Sequence, residues 1–294
     1  MLAGAQRFGE RRSSEETIWT MLMISPRQDV ADAHLLRLPG GITVLIDAGN
    51  LGDSPGALVR QLQARQIATL DLVVISHFHL DHYGALPDII DAGIKIKRVA
   101  VNVPDHAAAD PERPWGCNLE HVAQVLQKLK DKDIPYFTPK IGERLIETQT
   151  PAGVAVTLDV VCLYDGLNTP IGRTDVNDTS MILRLSHGST RALFTGDLNR
   201  PLGTWLAKSD FDLKADLLKV PHHGTEGVAP NEFFDRVGAK AALVPSPRGL
   251  WVSARSMRIR NYFHERGIPT YVSALQGNVT AILTDEGFRV RTQR

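Results

Sequence analysis

Apolar residues in this chain fall in short, strand-sized runs divided by glycine, proline, asparagine and aspartate. Runs of this kind predict strands near Trp19–Ser25, His34–Leu38, Ile42–Ile46 and Leu72–Ser76, the third entered through the turn Pro39-Gly40-Gly41. Between the last two, Leu58, Leu62 and Ile67 keep near-helical spacing over Pro55–Gln66, with Ser54 as the expected cap. Tyr83–Ala92 reads as helix and Lys97–Val103 as strand. Asn118–Lys130 is the clearest amphipathic helix, capped by Asn118, with Leu119, Val122, Val125, Leu126 and Leu129 on one stripe.

Strands then dominate, near Val154–Leu163, Ser180–Leu185 and Arg191–Thr195. Beyond them, strands Leu217–Val220, Ala241–Pro245 and Thr270–Ser273 alternate with helices Asn231–Val237 and Ala254–Arg266. A closing hairpin pairs Val279–Thr284 with Phe288–Arg291 through Asp285-Glu286-Gly287. Two blocks of strands with helices between them predict an α/β fold of the αββα sandwich type, two packed mixed sheets flanked by helices. Residues 17–294 form one domain in this reading, and residues 1–16, charged and rich in small side chains, form a flexible tail available to a protein partner. The proline-rich loop Pro104–Gly116 stands apart, either as a lid over a site or as a surface excursion.

Composition narrows the function classes. The 294 residues carry 43% hydrophobic and 22% charged side chains, ordinary values for a globular protein, and a formal net charge of zero. Zero net charge removes any bulk attraction to nucleic acid or to a membrane surface, leaving only a local basic groove. No apolar run is long enough for a membrane span or a signal peptide. Cys117 and Cys162 lie far apart with no metal-ligand spacing and read as idle buried thiols, which fits a reducing cytoplasm.

The chemistry concentrates at Ser76-His77-Phe78-His79-Leu80-Asp81-His82, directly after the apolar run Leu72–Ile75. If strand geometry persists, His77 and His79 point to one side; Asp81 and His82 follow once the chain has turned, and can face a second ion. Imidazole and carboxylate are ligands that zinc, manganese and iron accept. Three later segments offer further ligands at strand ends: Asn177-Asp178-Thr179, Thr195-Gly196-Asp197 and Pro221-His222-His223-Gly224. Surface histidines on a polar loop are the bland alternative, which this spacing disfavours.

The order of Leu45-Ile46-Asp47-Ala48-Gly49, the His cluster, Thr195-Gly196-Asp197 and the late His resembles that of metallo-β-lactamase-fold hydrolases over nearly the whole chain. Asn177-Asp178 and Leu218-Lys219-Val220-Pro221-His222-His223-Gly224 are similar to the hydrolase domain attached to the competence protein ComEC and to its free-standing relatives. The resemblance implies two divalent ions, zinc before manganese. His77, His79 and Asp178 would hold the first ion, and Asp81, His82 and one of His222 and His223 the second. Asp197 would bridge them. His222, nearer the strand end, is the favoured ligand, with His223 lining the pocket as a proton donor or a supporting group. Asp47 would accept a hydrogen bond from a ligand imidazole. Two segments depart from the ComEC-like pattern: Arg27-Gln28-Asp29-Val30-Ala31-Asp32 stands where it has Gly-Gln-Gly-Asp, and Ser246-Pro247-Arg248-Gly249-Leu250-Trp251 lacks its late His.

The expected activity is hydrolysis by a metal-bridged hydroxide, with Asp81, Asp197 and His223 as catalytic residues. Phosphodiesters, nucleic acid in particular, are the substrates that the resemblance implies, with Lys219, Arg248, Arg255, Arg258 and Arg260 as a candidate basic rim. A small ester, lactone or small phosphodiester is the alternative. A non-catalytic metal-binding partner module is the reading from another class, and it would require a closed four-ligand site.

Overall fold

The alternating runs of the chain assemble into two large mixed sheets. A computed structural model describes residues 14–25, 30–50, 56–112, 116–164, 175–225 and 227–294. The first sheet has eight strands in the spatial order Gly287–Thr292, Val279–Thr284, Thr17–Met21, His34–Arg37, Thr43–Ile46, Leu72–Val74, Val99–Ala100 and Tyr136–Phe137. The second has seven, in the order Thr270–Val272, Ala241–Val244, Leu217–Lys219, Thr190–Phe194, Ile182–His187, Ala155–Cys162 and Arg144–Gln149. Each sheet is parallel on one side and antiparallel on the other.

The sheets face each other across a core to which Trp19, Met21, Leu36, Val44 and Val74 contribute from one side and Leu158, Leu183, Leu185, Phe194 and Leu243 from the other. Leu45, Val73, Val99 and Ile75 point the opposite way, against the helices Ala57–Ala64, Leu86–Asp91 and Leu119–Asp131. Leu193, Leu218, Ala242 and Val244 likewise meet Leu202, Phe233, Ile259 and Phe263 of the helices on the second sheet's outer face. Alternate residues of one strand thus serve two different cores, as the period of a strand requires. The expected αββα sandwich is the observed architecture.

Several boundaries differ from the sequence reading. The first strand is Thr17–Met21 rather than Trp19–Ser25, because the Met23 N–H leaves the ladder and donates to Asn278 Oδ1 at 2.8 Å. The helix expected over Tyr83–Ala92 is two short ones, Leu80–Tyr83 and Leu86–Asp91, with Pro87 opening the second. Of Lys97–Val103 only Val99–Ala100 is strand, and Lys95–Ile96 pairs instead with Thr69–Leu70. The strand Arg144–Gln149 and the helix Arg200–Lys208 were not anticipated. Asn118 caps its helix as expected, its Oδ1 accepting from the N–H groups of Glu120 and His121. The expected cap Ser54, and residues 1–13 of the expected tail, lie outside the described residues. Among the described residues no helix is long and apolar enough to cross a membrane.

The topology puts all candidate chemistry on one edge. Thr43–Ile46, Leu72–Val74 and Val99–Ala100 run parallel, as do Thr190–Phe194, Leu217–Lys219 and Ala241–Val244. The segments beginning at Asp47, Ser76 and Val101, and at Thr195, Val220 and Pro245, are their carboxyl-end loops. Asp32 and Asp178 precede strands antiparallel to these, so they reach the same edge from the other direction.

Candidate metal centre

Asp47 begins the site. It sits at φ 60°, a conformation that costs a non-glycine residue energy and is often kept for function. Its carboxylate accepts from the Ser76 N–H at 2.7 Å, the Ser76 hydroxyl at 2.9 Å and His82 Nδ1 at 2.9 Å. With its Nδ1 proton committed, His82 turns Nε2 toward the opposite side. The Ser76 hydroxyl, having given its hydrogen to Asp47, accepts from His77 Nδ1 at 3.1 Å. His79 donates Nε2–H to Glu112 Oε2 at 2.6 Å. The remaining nitrogens, His77 Nε2 and His79 Nδ1, converge at 3.2 Å. Two lone pairs aimed at one point suit a cation between them.

Beside this pair, ligand atoms of Asp81, His82, Asp197 and His223 all lie within 4.8 Å of one another. His223 donates Nδ1–H to the Pro245 carbonyl at 2.8 Å, and its Nε2 stands 2.9 Å from Asp81 Oδ2 and 3.2 Å from Asp197 Oδ2. His82 Nε2 is 3.2 Å from the same Asp197 oxygen, and it is buried without a hydrogen-bond partner. An orphaned ring nitrogen beside two carboxylates is the donor set of a divalent ion, so the residues fit the group.

Asp197 is aimed by its neighbours. Its N–H donates to Ser180 Oγ at 2.9 Å. Gly196 before it has φ 50°, and a Cβ there would lie 2.4 Å from Ser180 Oγ. Lys219, 1% exposed, donates to the Gly196 carbonyl at 2.6 Å and to Asp197 Oδ1 at 3.3 Å, and pairs closely with the buried Asp32. Asp178 is buried on the same edge, its Oδ1 accepting the Asn199 N–H at 2.8 Å. Asn199 Oδ1 in turn accepts from His222 Nδ1 at 2.7 Å.

Electrostatics agree with the geometry. Burial pulls His82 and His223 down, but Asp197, with Asp47 and Asp81 around His82 and Asp32 around His223, lifts both well above the ordinary histidine value. Burial, reinforced by the charges of His82 and His79, holds His77 well below it. Asp197 lies well below the usual carboxylate range despite burial, because His223, His82 and Lys219 surround it. Protein groups here bind protons where a metal ion would supply the positive charge.

The family model for the metallo-beta-lactamase superfamily matches residues 27–246, which span the whole site. The chain belongs to the metallo-beta-lactamase superfamily. Its metal-binding cluster and fold are those of a hydrolase of this superfamily. ComE operon protein 3 of Bacillus subtilis (strain 168) is 25% identical over 187 residues, 64% of this chain and 21% of that protein. The chain therefore matches only about a fifth of that relative's length. Two solved structures share the superfamily's architecture. The metallo-beta-lactamase fold protein YhfI from Bacillus subtilis aligns over 87% of this chain and 96% of its own with a TM-score of 0.52 and 16% identity. CmlA, a diiron beta-hydroxylase from Streptomyces venezuelae, aligns over 96% of this chain and 55% of its own with a TM-score of 0.51 and 13% identity. At such identity the likeness is one of fold.

Within this superfamily frame, His77, His79, Asp81, His82 and Asp197 come together, and Asp47 holds His82 from behind. The late histidines take places opposite to the favoured assignment: His223 enters the four-residue cluster, while His222 binds Asn199. Both lie at positive φ, 45° for His222 and 52° for His223, so successive rings leave the chain in different directions. Position along the strand end was therefore no guide to which ring faces the carboxylates.

Lys219 is corrected from rim to interior. Its place in the run Leu217-Leu218-Lys219-Val220 was the available signal, since a lysine in a buried strand requires an internal partner. Arg258 and Arg260 also leave the rim, their guanidinium groups anchored on the carbonyls of Val228 and Ala229 and of Trp251 and Ser253. Arg248 and Arg255 remain exposed. Glu112, Asp32 and Asn199 were not anticipated. Asp32 ends the stretch that departs from Gly-Gln-Gly-Asp, so the acidic member of that turn is retained. Glu112 carried no local signal, because its partner His79 is 33 residues away.

Proposed function

We propose that this protein is a two-ion hydrolase of phosphodiester bonds. The observation that carries this reading is the juxtaposition of the His77–His79 nitrogen pair with the Asp81, His82, Asp197 and His223 cluster. His77 Nε2, His79 Nδ1 and Asp178 would hold one ion. Asp81, His82 and His223 would hold the other, with Asp197 between them. Imidazole and carboxylate in this proportion suit zinc first and manganese next. Bound divalent ions supply Lewis acidity, which activates water near neutral pH and offsets charge developing on the ester oxygens.

The chain's own residues supply placement and proton handling. Asp47, Glu112 and the Pro245 carbonyl fix the tautomers of His82, His79 and His223, so no reorganisation is needed as ligands bind. His222 is neutral at neutral pH, since burial holds it below the ordinary histidine value. With Nδ1–H donated to Asn199 Oδ1, its Nε2 holds a lone pair, so in this reading it accepts a proton at that atom rather than supplying one. Arg248 and Arg255 offer charge to a phosphodiester.

The loss of Lys219, Arg258 and Arg260 from the rim, together with zero net charge, favours a second reading within the same chemistry. In it the substrate is a small phosphodiester or ester rather than a polynucleotide. One assay separates the readings: protein reconstituted with zinc or manganese, given single- and double-stranded DNA, RNA and a small chromogenic phosphodiester, beside Asp197→Asn. Cleavage of polynucleotide that falls steeply with salt supports the nucleic-acid reading. Cleavage of the small diester alone, indifferent to salt, supports the second. Wild-type rates in Asp197→Asn with metal bound normally would sink both.

A further inference from the structure

The cation at Lys219 has a place of its own among the acids. Ligand atoms of Asp32, Asp47 and His82 form a second tight group, within 4.8 Å of one another, behind the cluster that faces the site. Asp32 is fully buried, 3.5 Å from His223 Nδ1 and 3.9 Å from His82 Nδ1, beneath both imidazoles. The ammonium of Lys219 contacts Asp32 on one side and, at 3.3 Å, Asp197 Oδ1 on the other.

An ammonium this close to Asp197 competes with a divalent ion for the same carboxylate, and screening by water is absent in the interior. Asp32 is in direct contact with that ammonium and cancels most of its field. We propose that Asp32 is a positioning residue, the dedicated counter-ion of Lys219, whose charge lets a divalent ion bind at Asp81, His82, Asp197 and His223 beside a buried lysine. The idea rests on the two-ion reading given above. Removing the carboxylate charge alone turns Lys219 against the second ion; removing both charges together restores the balance.

The test is zinc binding to the full chain, read as stoichiometry and stepwise affinity against a chromogenic chelator, with circular dichroism reporting the fold. Wild-type protein binds two ions. Asp32→Asn keeps the first ion within about threefold and weakens the second by about tenfold or more, the range for removing a group behind a ligand. The double variant Asp32→Asn/Lys219→Met brings the second ion back to within about threefold of wild type, a recovery that loss of shape alone would not give. A second-ion affinity unchanged in Asp32→Asn overturns the proposal, and so does a double variant as weak as the single one. If Asp32→Asn does not fold, the double variant decides alone, and its failure to fold or a tenfold loss of the second ion counts against the proposal. Wild-type protein that binds fewer than two ions removes the two-ion reading itself, whatever the variants do.

Discussion

Glu112 Oε2 lies 2.6 Å from His79 Nε2, so a residue of the Pro104–Gly116 loop decides which nitrogen of His79 faces the centre. The same carboxylate accepts the Val176 N–H at 3.0 Å through Oε1, tying the loop to the segment that carries Asp178. The turn Asp110–Glu112 thereby touches the site through this side chain.

Glu112→Gln should weaken binding of one metal ion by about 10–100-fold, because the amide cannot match the charge-assisted bond to His79. Competition with a chelator of known affinity measures this. Unchanged binding of both ions would show that His79 does not need the contact.

Gly196→Ala should destabilise the fold by about 2 kcal/mol or more. Its φ of 50° costs an L-residue about 1–2 kcal/mol, and the new Cβ would stand 2.4 Å from Ser180 Oγ. Gly41→Ala is the control: φ is 78° there, and a Cβ meets nothing within 4 Å, so it carries the backbone cost alone. Urea unfolding of both variants gives the difference, and equal losses would remove the steric part of the argument.

Metal removal should lower stability, since it leaves the carboxylates of Asp81 and Asp197 together in the cluster without the divalent charge that the two-ion reading places there. An ion present at about 1,000 times its dissociation constant stabilises by about 4 kcal/mol. Thermal melts with and without a chelator, followed by zinc re-addition, report this. Coincident melts would argue against a bound metal.

His187 should contribute acid sensitivity independent of the centre. It is buried with Nδ1 2.9 Å from Thr17 Oγ1, and burial lowers it from the ordinary histidine value. A folded-state value below about 6.5 means the unfolded chain takes the proton first, so stability is full above that pH and declines below it. The slope is at most about 1.4 kcal/mol per pH unit. His187→Gln should remove that share of the decline between pH 7 and pH 5.5, as the difference between urea-unfolding profiles. A parallel pair of profiles would contradict it.

The element types were legible where periodicity was strong and the chain returned to the same core. Leu119–Asp131 shows a clean stripe and a capping Asn118, and both appear in the structure. Edge elements were less so. Arg144–Gln149 buries the adjacent Leu145 and Ile146, so its pattern does not alternate. Trp19–Ser25 was read too far because Leu22 to Ile24 stay apolar after the strand has ended at Met21; much of the burial continues there, but the strand does not.

By itself the sequence determined the sandwich of two mixed sheets, the strand ends that carry His77, His79, Asp81, His82 and Asp197, and the family to which those residues point. Such features are local, written in period, spacing and residue type. Tertiary structure alone decided that His223 rather than His222 meets Asp81 and Asp197, that Glu112 orients His79, and that Lys219 lies inside with Asp32. Each of these is a meeting of side chains far apart in the chain, 187 residues in the case of Asp32 and Lys219 (219 − 32). Spacing rules describe neighbours along one element. Which charges meet across two sheets depends on how those sheets pack, and that is a property of the whole fold.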